Sequence, residues 1–222
     1  MHLLLRPVAP ACLSNYQHGR DNWSGMTSVD KLAIRDALRT MQGRRCAYCE
    51  CAIATDDQIR DNQHVEHFIQ KGRVPKETFA WSNLFWSCCA TGSCGKFKDE
   101  KAAAYNDSNL IKPDVDNPEE FFHFHADGTI TIKPTAPSAI RAEETLRVFN
   151  LDKEYGRLCS MRRIACVGYK QTGLEIAELL EAYTPEECLE FILKELRETR
   201  RGPFATAIKH TLLPLEHHFI VI

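Results

Sequence analysis

The stretch HVEHFIQK, residues 64–71, lies between two cysteine clusters, CAYC at 46–49 and SCCATGSC at 87–94. Cys46 and Cys49 can present two thiolates from one tight turn, the geometry a tetrahedral zinc requires. The second cluster supplies Cys94 and one of Cys88 or Cys89, and Cys88 is taken as the fourth ligand. Zinc on Cys46, Cys49, Cys88 and Cys94 would staple a segment too polar to form a good core, so its binding energy would be folding energy. The competing reading is a set of buried thiols among aromatics. Cys51 and the unused member of the 88–89 pair are spare, and Cys12, Cys159, Cys166 and Cys188 are expected to pack as buried thiols.

The intervening stretch has three readings. As a helix it would put His64 and His67 on one face for a shared metal, but Val65, Phe68 and Ile69 complete no helical stripe. As a strand it puts His64 and Glu66 on one face, with His67 opposite unless the strand ends or bends there. The third reading is a surface strand without chemistry. The residues downstream favour the second: WSNLF places Asn83 between aromatics, and GKFKDEK after Cys94 begins a basic helix.

Working outward, residues 1–26 show no sustained period and read as an irregular arm. A helix is predicted from TSVD, capped by Thr27 or Ser28, with Ile34, Ala37, Leu38 and Met41 on its apolar face and a stop near Gly43. Past the cysteines, Phe122, Phe124, Thr129 and Thr131 alternate around Asp127-Gly128, a hairpin signal that by itself explains His123 and His125. From Pro137 the pattern is helical. Ile176, Leu179, Leu180 and Tyr183 form one stripe, and Leu189, Ile192, Leu193 and Leu196 another that starts at Thr184-Pro185. A last helix spans about 204–213, and His217 and His218 are expected at a surface or interface. The predicted organisation is 1–43, arm and helix; 44–112, a zinc-stapled core; and 113–222, hairpin and helices.

With 44% hydrophobic and 26% charged residues, the chain reads as an ordinary globular protein of one large domain or two small ones. No apolar run approaches the roughly 20 residues of a membrane span. Arg6 and Pro7 interrupt the opening MHLLLRPVAPACL, which is read as mature protein. A net charge of −2 gives no global attraction to nucleic acid, so phosphate binding needs a local patch, a metal or a partner. Ten cysteines without a leader point to metal binding in a reducing cytoplasm.

The order CxxC, Glu-His, Asn, then Cys with a basic helix resembles the HNH endonuclease family, whose ββα-metal motif is zinc-stapled in many members. The segments CAYCE, HVEHFIQK, WSNLFWSC, SCGKFK, PEEFF with DGTI, and AEETLRVFNLD look like its Septu-type anti-phage branch, the PtuB-like nuclease subunits, including those beside retrons. The resemblance runs over most of the chain and is weakest in the last third. It implies an α+β fold with an N-terminal helix, a zinc-stapled ββα-metal core and a helical C-terminal region for partner docking. It further implies Glu66 as a metal ligand, His67 as general base, and Asn83 as the residue that fixes the loop between the strands. Two departures stand out. Gln70 replaces a proline, and Gly95 replaces the Asn or His that commonly completes the metal site, for which Asp99, one turn on, is the substitute.

Such chemistry needs an activated water and neutralised phosphate charge. A neutral histidine can take the water's proton, and a Mg²⁺ or Mn²⁺ ion on hard carboxylates leaves the thiolates to zinc. Lys98 and Lys96 are candidate phosphate contacts, and Arg44, Arg45 and Lys71 a basic rim. The resemblance implies a PtuA-like ATPase as partner, a nucleic-acid substrate and, in retron forms, a reverse transcriptase with its DNA–RNA product. The rival reading is a zinc-stapled nucleic-acid-binding or scaffold subunit without catalysis.

Overall fold

A computed structural model describes residues 1–53, 63–153, 156–178 and 183–213. The chain is α+β and divides into two compact units, one of Met1–Pro118 with Ile140–Asn150, the other of Glu119–Ala139 with the residues from Leu151 on. Leu179, Leu180, His217 and His218 lie outside the described residues.

In the first unit, helix α1 (Ser28–Gln42) starts where the Thr27 side chain accepts the Asp30 amide and ends at Gly43. Its buried residues are Ile34, Leu38 and, unexpectedly, Gln42. The Gln42 amide accepts from the Trp86 N–H at 2.7 Å and donates to the carbonyls of Arg45 and Trp86, both at 2.8 Å. A buried amide with all these partners satisfied fixes one orientation of the helix on the strand below it. That strand is β2 (Leu84–Cys88), paired antiparallel with β1 (Gln63–His67) in the register His64 opposite Ser87 and Glu66 opposite Phe85. Helix α2 (Cys94–Glu100) comes next and packs on β2. Helix α3 (Ala139–Phe149) adds Phe149, which stacks on Tyr48 at 4.1 Å, with Phe68 and Phe85 in the same aromatic core.

The second unit opens with the hairpin of β3 (Phe122–Phe124) and β4 (Ile130–Ile132). Gly128, at φ +92°, turns it, and its bare Cα rests against the Cys159 and Arg163 backbone of α4 (Arg157–Glu178). A side chain there would meet both a forbidden backbone region and a collision. Thr184 and Glu187 form a capping box on α5 (Pro185–Thr199), whose buried residues include Cys188 and Ile192 while Leu193 faces solvent. Helix α6 (Ala205–Leu212) packs on α4, α5 and β3. Cys166 and Cys188 are buried as expected, whereas Cys12 and Cys159 are half-buried, with thiols directed at the carbonyls of Asp30 and Asp127.

His123 stacks on His210 at 4.9 Å, and His125 bonds Thr131. Glu119 pairs with Lys209 at 2.7 Å and His210 at 3.4 Å, partners that hold its pKa at about 2. A carboxylate depressed on folding contributes stability above its unfolded pKa and loses it as pH falls through the folded one. Glu119→Gln is therefore expected to cost about 1–2 kcal/mol at pH 7, a difference that vanishes between about pH 5 and pH 2. Urea titrations of the two proteins across that range check it.

Candidate active site and metal centre

The metal centre begins with the turn after α1. Cys46 to Cys49 curl so that the Glu50 amide reaches the Cys46 carbonyl at 3.1 Å, and Glu50 itself sits at φ +62°. Cys88 ends β2, and Cys94 opens α2 at φ +61°. The four sulfurs lie within 4.8 Å of one another, and all four residues are buried. Among the described residues this is the one group of three or more metal-ligating side chains brought so close. Four buried thiols with converging sulfurs fit a zinc ion in donor type and number. Burial pushes the Cys46 thiol up, but hydrogen bonds from Cys49, Cys51, Cys88 and Cys94 outweigh it and bring it well below the ordinary value. Cys89 points elsewhere, with its sulfur 3.3 Å from His64 Nδ1.

Beside this cluster, β1 carries Glu66 and His67 into the interior, where they are 1% and 4% exposed. Glu66 Oε2 meets His64 Nε2 at 3.0 Å, so the two histidines of the stretch have separate surroundings. Burial opposes charge on His64, but the Glu66 carboxylate outweighs it and raises the His64 pKa. His67 turns its Nε2 to the Thr78 carbonyl at 3.0 Å and its ring edge to Trp23, centroids 4.6 Å apart. A carbonyl only accepts, so Nε2 carries the proton and Nδ1 keeps its lone pair. Burial first, then the Lys71 and Lys98 charges, push the His67 pKa down to about 4.

Asn83 fixes the connection from β1 to β2. Its Oδ1 accepts the Ile69 amide at 2.7 Å, and its Nδ2 donates to the carbonyls of Ile69 and Glu77. Each bond holds a loop that comes after His67, so Asn83 governs where the Thr78 carbonyl stands.

Lys98 is placed differently from the sequence expectation. A phosphate contact needs an exposed ammonium, whereas Lys98 is buried, its Nζ 2.7 Å from Glu66 Oε1 and 2.8 Å from Asp99 Oδ1. It also donates to the carbonyls of His67 and Phe68. Burial works against this ammonium, but Glu66 and then Asp99 outweigh it and raise its pKa. Lys98 is thus an internal counter-ion that locks α2 onto the end of β1. Lys96 remains half-exposed, 3.9 Å from Glu100. Asp99 is 42% exposed and accepts from Gln70 at 2.8 Å. Glu66 and Asp99 therefore converge on the Lys98 ammonium, and as hard oxygen donors they match a divalent ion in type only where that ammonium gives way.

Gly95 is explained by the same geometry. A Cβ built there would overlap the Glu66 carboxylate and lie 2.9 Å from its Cγ. The carboxylate fills the space a side chain at 95 would need. Gly95→Ala is expected to cost roughly 1–3 kcal/mol by overpacking and to pull Glu66 away from Lys98. Thermal unfolding measures the first effect. Sequence reasoning missed Thr78 and Trp23, for which no period or motif speaks, and it misplaced Lys98.

No protein-family model matches the chain. It is 31% identical over 125 residues to Septu protein PtuB of Bacillus thuringiensis, a match covering 52% of this chain and 43% of that protein. The match thus spans less than half the length of that relative. It is 25% identical over 174 residues to a protein of Vibrio cholerae serotype O1 biovar El Tor named "Retron Vc95 putative HNH endonuclease", covering 75% of this chain and 81% of that one. The HNH, Septu and retron resemblance read from the motifs is therefore carried by two relatives. Among the described residues no helix is long and apolar enough to cross a membrane.

Proposed function

We propose that this chain is an HNH-type endonuclease that hydrolyses nucleic-acid phosphodiesters, with Glu66 and His67 at the end of the first strand of a ββα-metal core. The observation that carries the reading is the adjacency of a buried carboxylate and a neutral imidazole. They lie on a two-stranded sheet whose succeeding helix is tied to a four-cysteine cluster.

His67 is the base. Its Nε2–H is committed to the Thr78 carbonyl, which orients the ring and leaves Nδ1 to take the proton of the attacking water. Its low pKa keeps it neutral at working pH. Asn83 holds the loop that carries Thr78. Lys98 and His64 fix the two oxygens of Glu66. A Mg²⁺ or Mn²⁺ ion held by Glu66 and Asp99, in place of the Lys98 ammonium, would neutralise charge on the scissile phosphate and the leaving oxygen. The zinc on Cys46, Cys49, Cys88 and Cys94 is structural.

The burial of Glu66 and His67 fits a gated enzyme. The relatives are named as a Septu protein and a retron putative HNH endonuclease; with the resemblance to the Septu-type anti-phage branch, the reading includes a PtuA-like ATPase as the gating partner and, in a retron setting, a reverse transcriptase with its DNA–RNA product. The C-terminal helices are the proposed docking surface, and the site of action is the cytoplasm.

The test incubates the full chain, with such an ATPase, with DNA and structured RNA. Cleavage is expected only with added Mg²⁺ or Mn²⁺, at unchanged zinc content. No cleavage, or cleavage indifferent to the added ion, defeats the reading. A catalytically silent zinc-stapled scaffold is the second reading. Gly95 and the Lys98 ammonium already shared by Glu66 and Asp99 favour it.

A further inference from the structure

A cleft of about 570 Å³ opens between the N-terminal arm and the loop after His67, its walls including His18, Arg20, Trp23, Lys71 and Thr78. That volume is in the roughly 300–1,000 Å³ range of sites that bury a small ligand. Two of its walls are the immediate neighbours of the candidate base: Trp23 meets the His67 ring edge-on, and Thr78 accepts its Nε2–H. His67 itself is buried and does not line the cleft, so a chain lying there would be held one residue away from the imidazole, against Trp23 and Thr78.

The wall chemistry is specific. Arg20 is engaged by Asp21 at 2.8 Å and by the Asn15 carbonyl, so its charge is spent locally. Lys71 is exposed, and among the described residues no carboxylate pairs with it. Its Nζ stands 5.9 Å from the centroid of the half-exposed Trp23 ring. That ring also meets His67 and Phe79, so the ammonium over its half-exposed surface is the group a bound nucleotide would draw aside, and an ammonium with an indole is the combination with which proteins hold unpaired nucleotides. The cation takes the phosphate and the ring stacks the base, without regard to sequence. Within a duplex the bases stack on one another and cannot also lie on Trp23.

We infer that this cleft binds a single-stranded or locally unpaired nucleic-acid segment, a phosphate on Lys71 and a base on Trp23, and so feeds the strand to His67. The inference rests on the nuclease reading for the identity of its ligand as substrate, and names the form of that substrate.

The experiment measures binding of a fluorescein-labelled oligothymidylate to the full chain by anisotropy, without divalent ion, over a range of salt. Trp23→Ala is expected to weaken binding about 10-fold and Trp23→Phe to restore most of it. Lys71→Ala, an exposed change that leaves the fold intact, is expected to lower the slope of log affinity against log salt by about 0.7, one phosphate's share for a single strand. Binding by the wild type that is unchanged in affinity and salt slope in Lys71→Ala overturns the inference, as does a duplex of equal length binding equally well. Binding through the cleft with no cleavage on adding the ATPase and Mg²⁺ or Mn²⁺ instead defeats the nuclease reading. Cleavage by a wild type whose cleft variants bind normally defeats the cleft alone.

Discussion

Replacing Cys46 with serine is expected to strip the zinc from the chain and unfold the unit built from residues 1–118 and 140–150. The reason is scale. Structural zinc on four thiolates is worth roughly 10–16 kcal/mol in small domains, comparable to the entire 5–15 kcal/mol that separates a folded domain from its unfolded chain. Cys46, Cys49, Cys88 and Cys94 come from the turn after α1, the end of β2 and the start of α2, so one ion there would tie together three of the elements around Glu66 and His67. A serine hydroxyl is a poor replacement for a soft thiolate, and the other three sulfurs would stay crowded and buried. Elemental analysis and circular dichroism read the outcome. Cys88→Ser should behave like Cys46→Ser, while Cys89→Ser, whose sulfur faces His64, should keep its zinc. Full zinc content in Cys46→Ser would sink the metal centre.

The second large effect is expected from His67→Ala, which should reduce cleavage by about 10²–10⁴-fold, the usual contribution of a general base. The substitution removes the nitrogen proposed to take the water's proton while leaving Glu66 with its His64 and Lys98 partners. The loss should therefore fall on kcat, with zinc content unchanged. His64→Ala should cost much less, because His64 acts on the reaction only through Glu66. Equal rates for wild type and His67→Ala would rule out the mechanism.

Both predictions start from residues visible in the sequence, and the reason is local. Cys46 and Cys49 share one turn, and spacing within one turn is a geometric statement. Thr27, Thr184 with Glu187, and Asp127-Gly128 announce their caps and hairpin for the same reason: each satisfies backbone groups within three residues of itself. His64 and Glu66 share a strand face because side chains alternate along a strand.

Other features depend on contacts between segments far apart in the chain. Seven residues of α2 make too little periodicity to say which lysine faces inward, so Lys98 looked like a phosphate contact until β1 was in place beside it. Gly95 read as a missing ligand, yet it is the surface on which the Glu66 carboxylate rests. Gln42, a polar residue on an apolar helix face, became intelligible once the Trp86 backbone was found against it. Trp23 carried no motif, and only the folded arm sets it on His67. The sequence by itself therefore determined the Cys46–Cys49 pair, the order of elements and the caps, because these are fixed by bonds a few residues long, whereas Cys88 rather than Cys89 joined the cluster only in the folded chain. Which charges are buried, which histidine stays neutral and what walls the cleft were decided by tertiary structure, because desolvation and ion pairing depend on what the rest of the chain packs against each group.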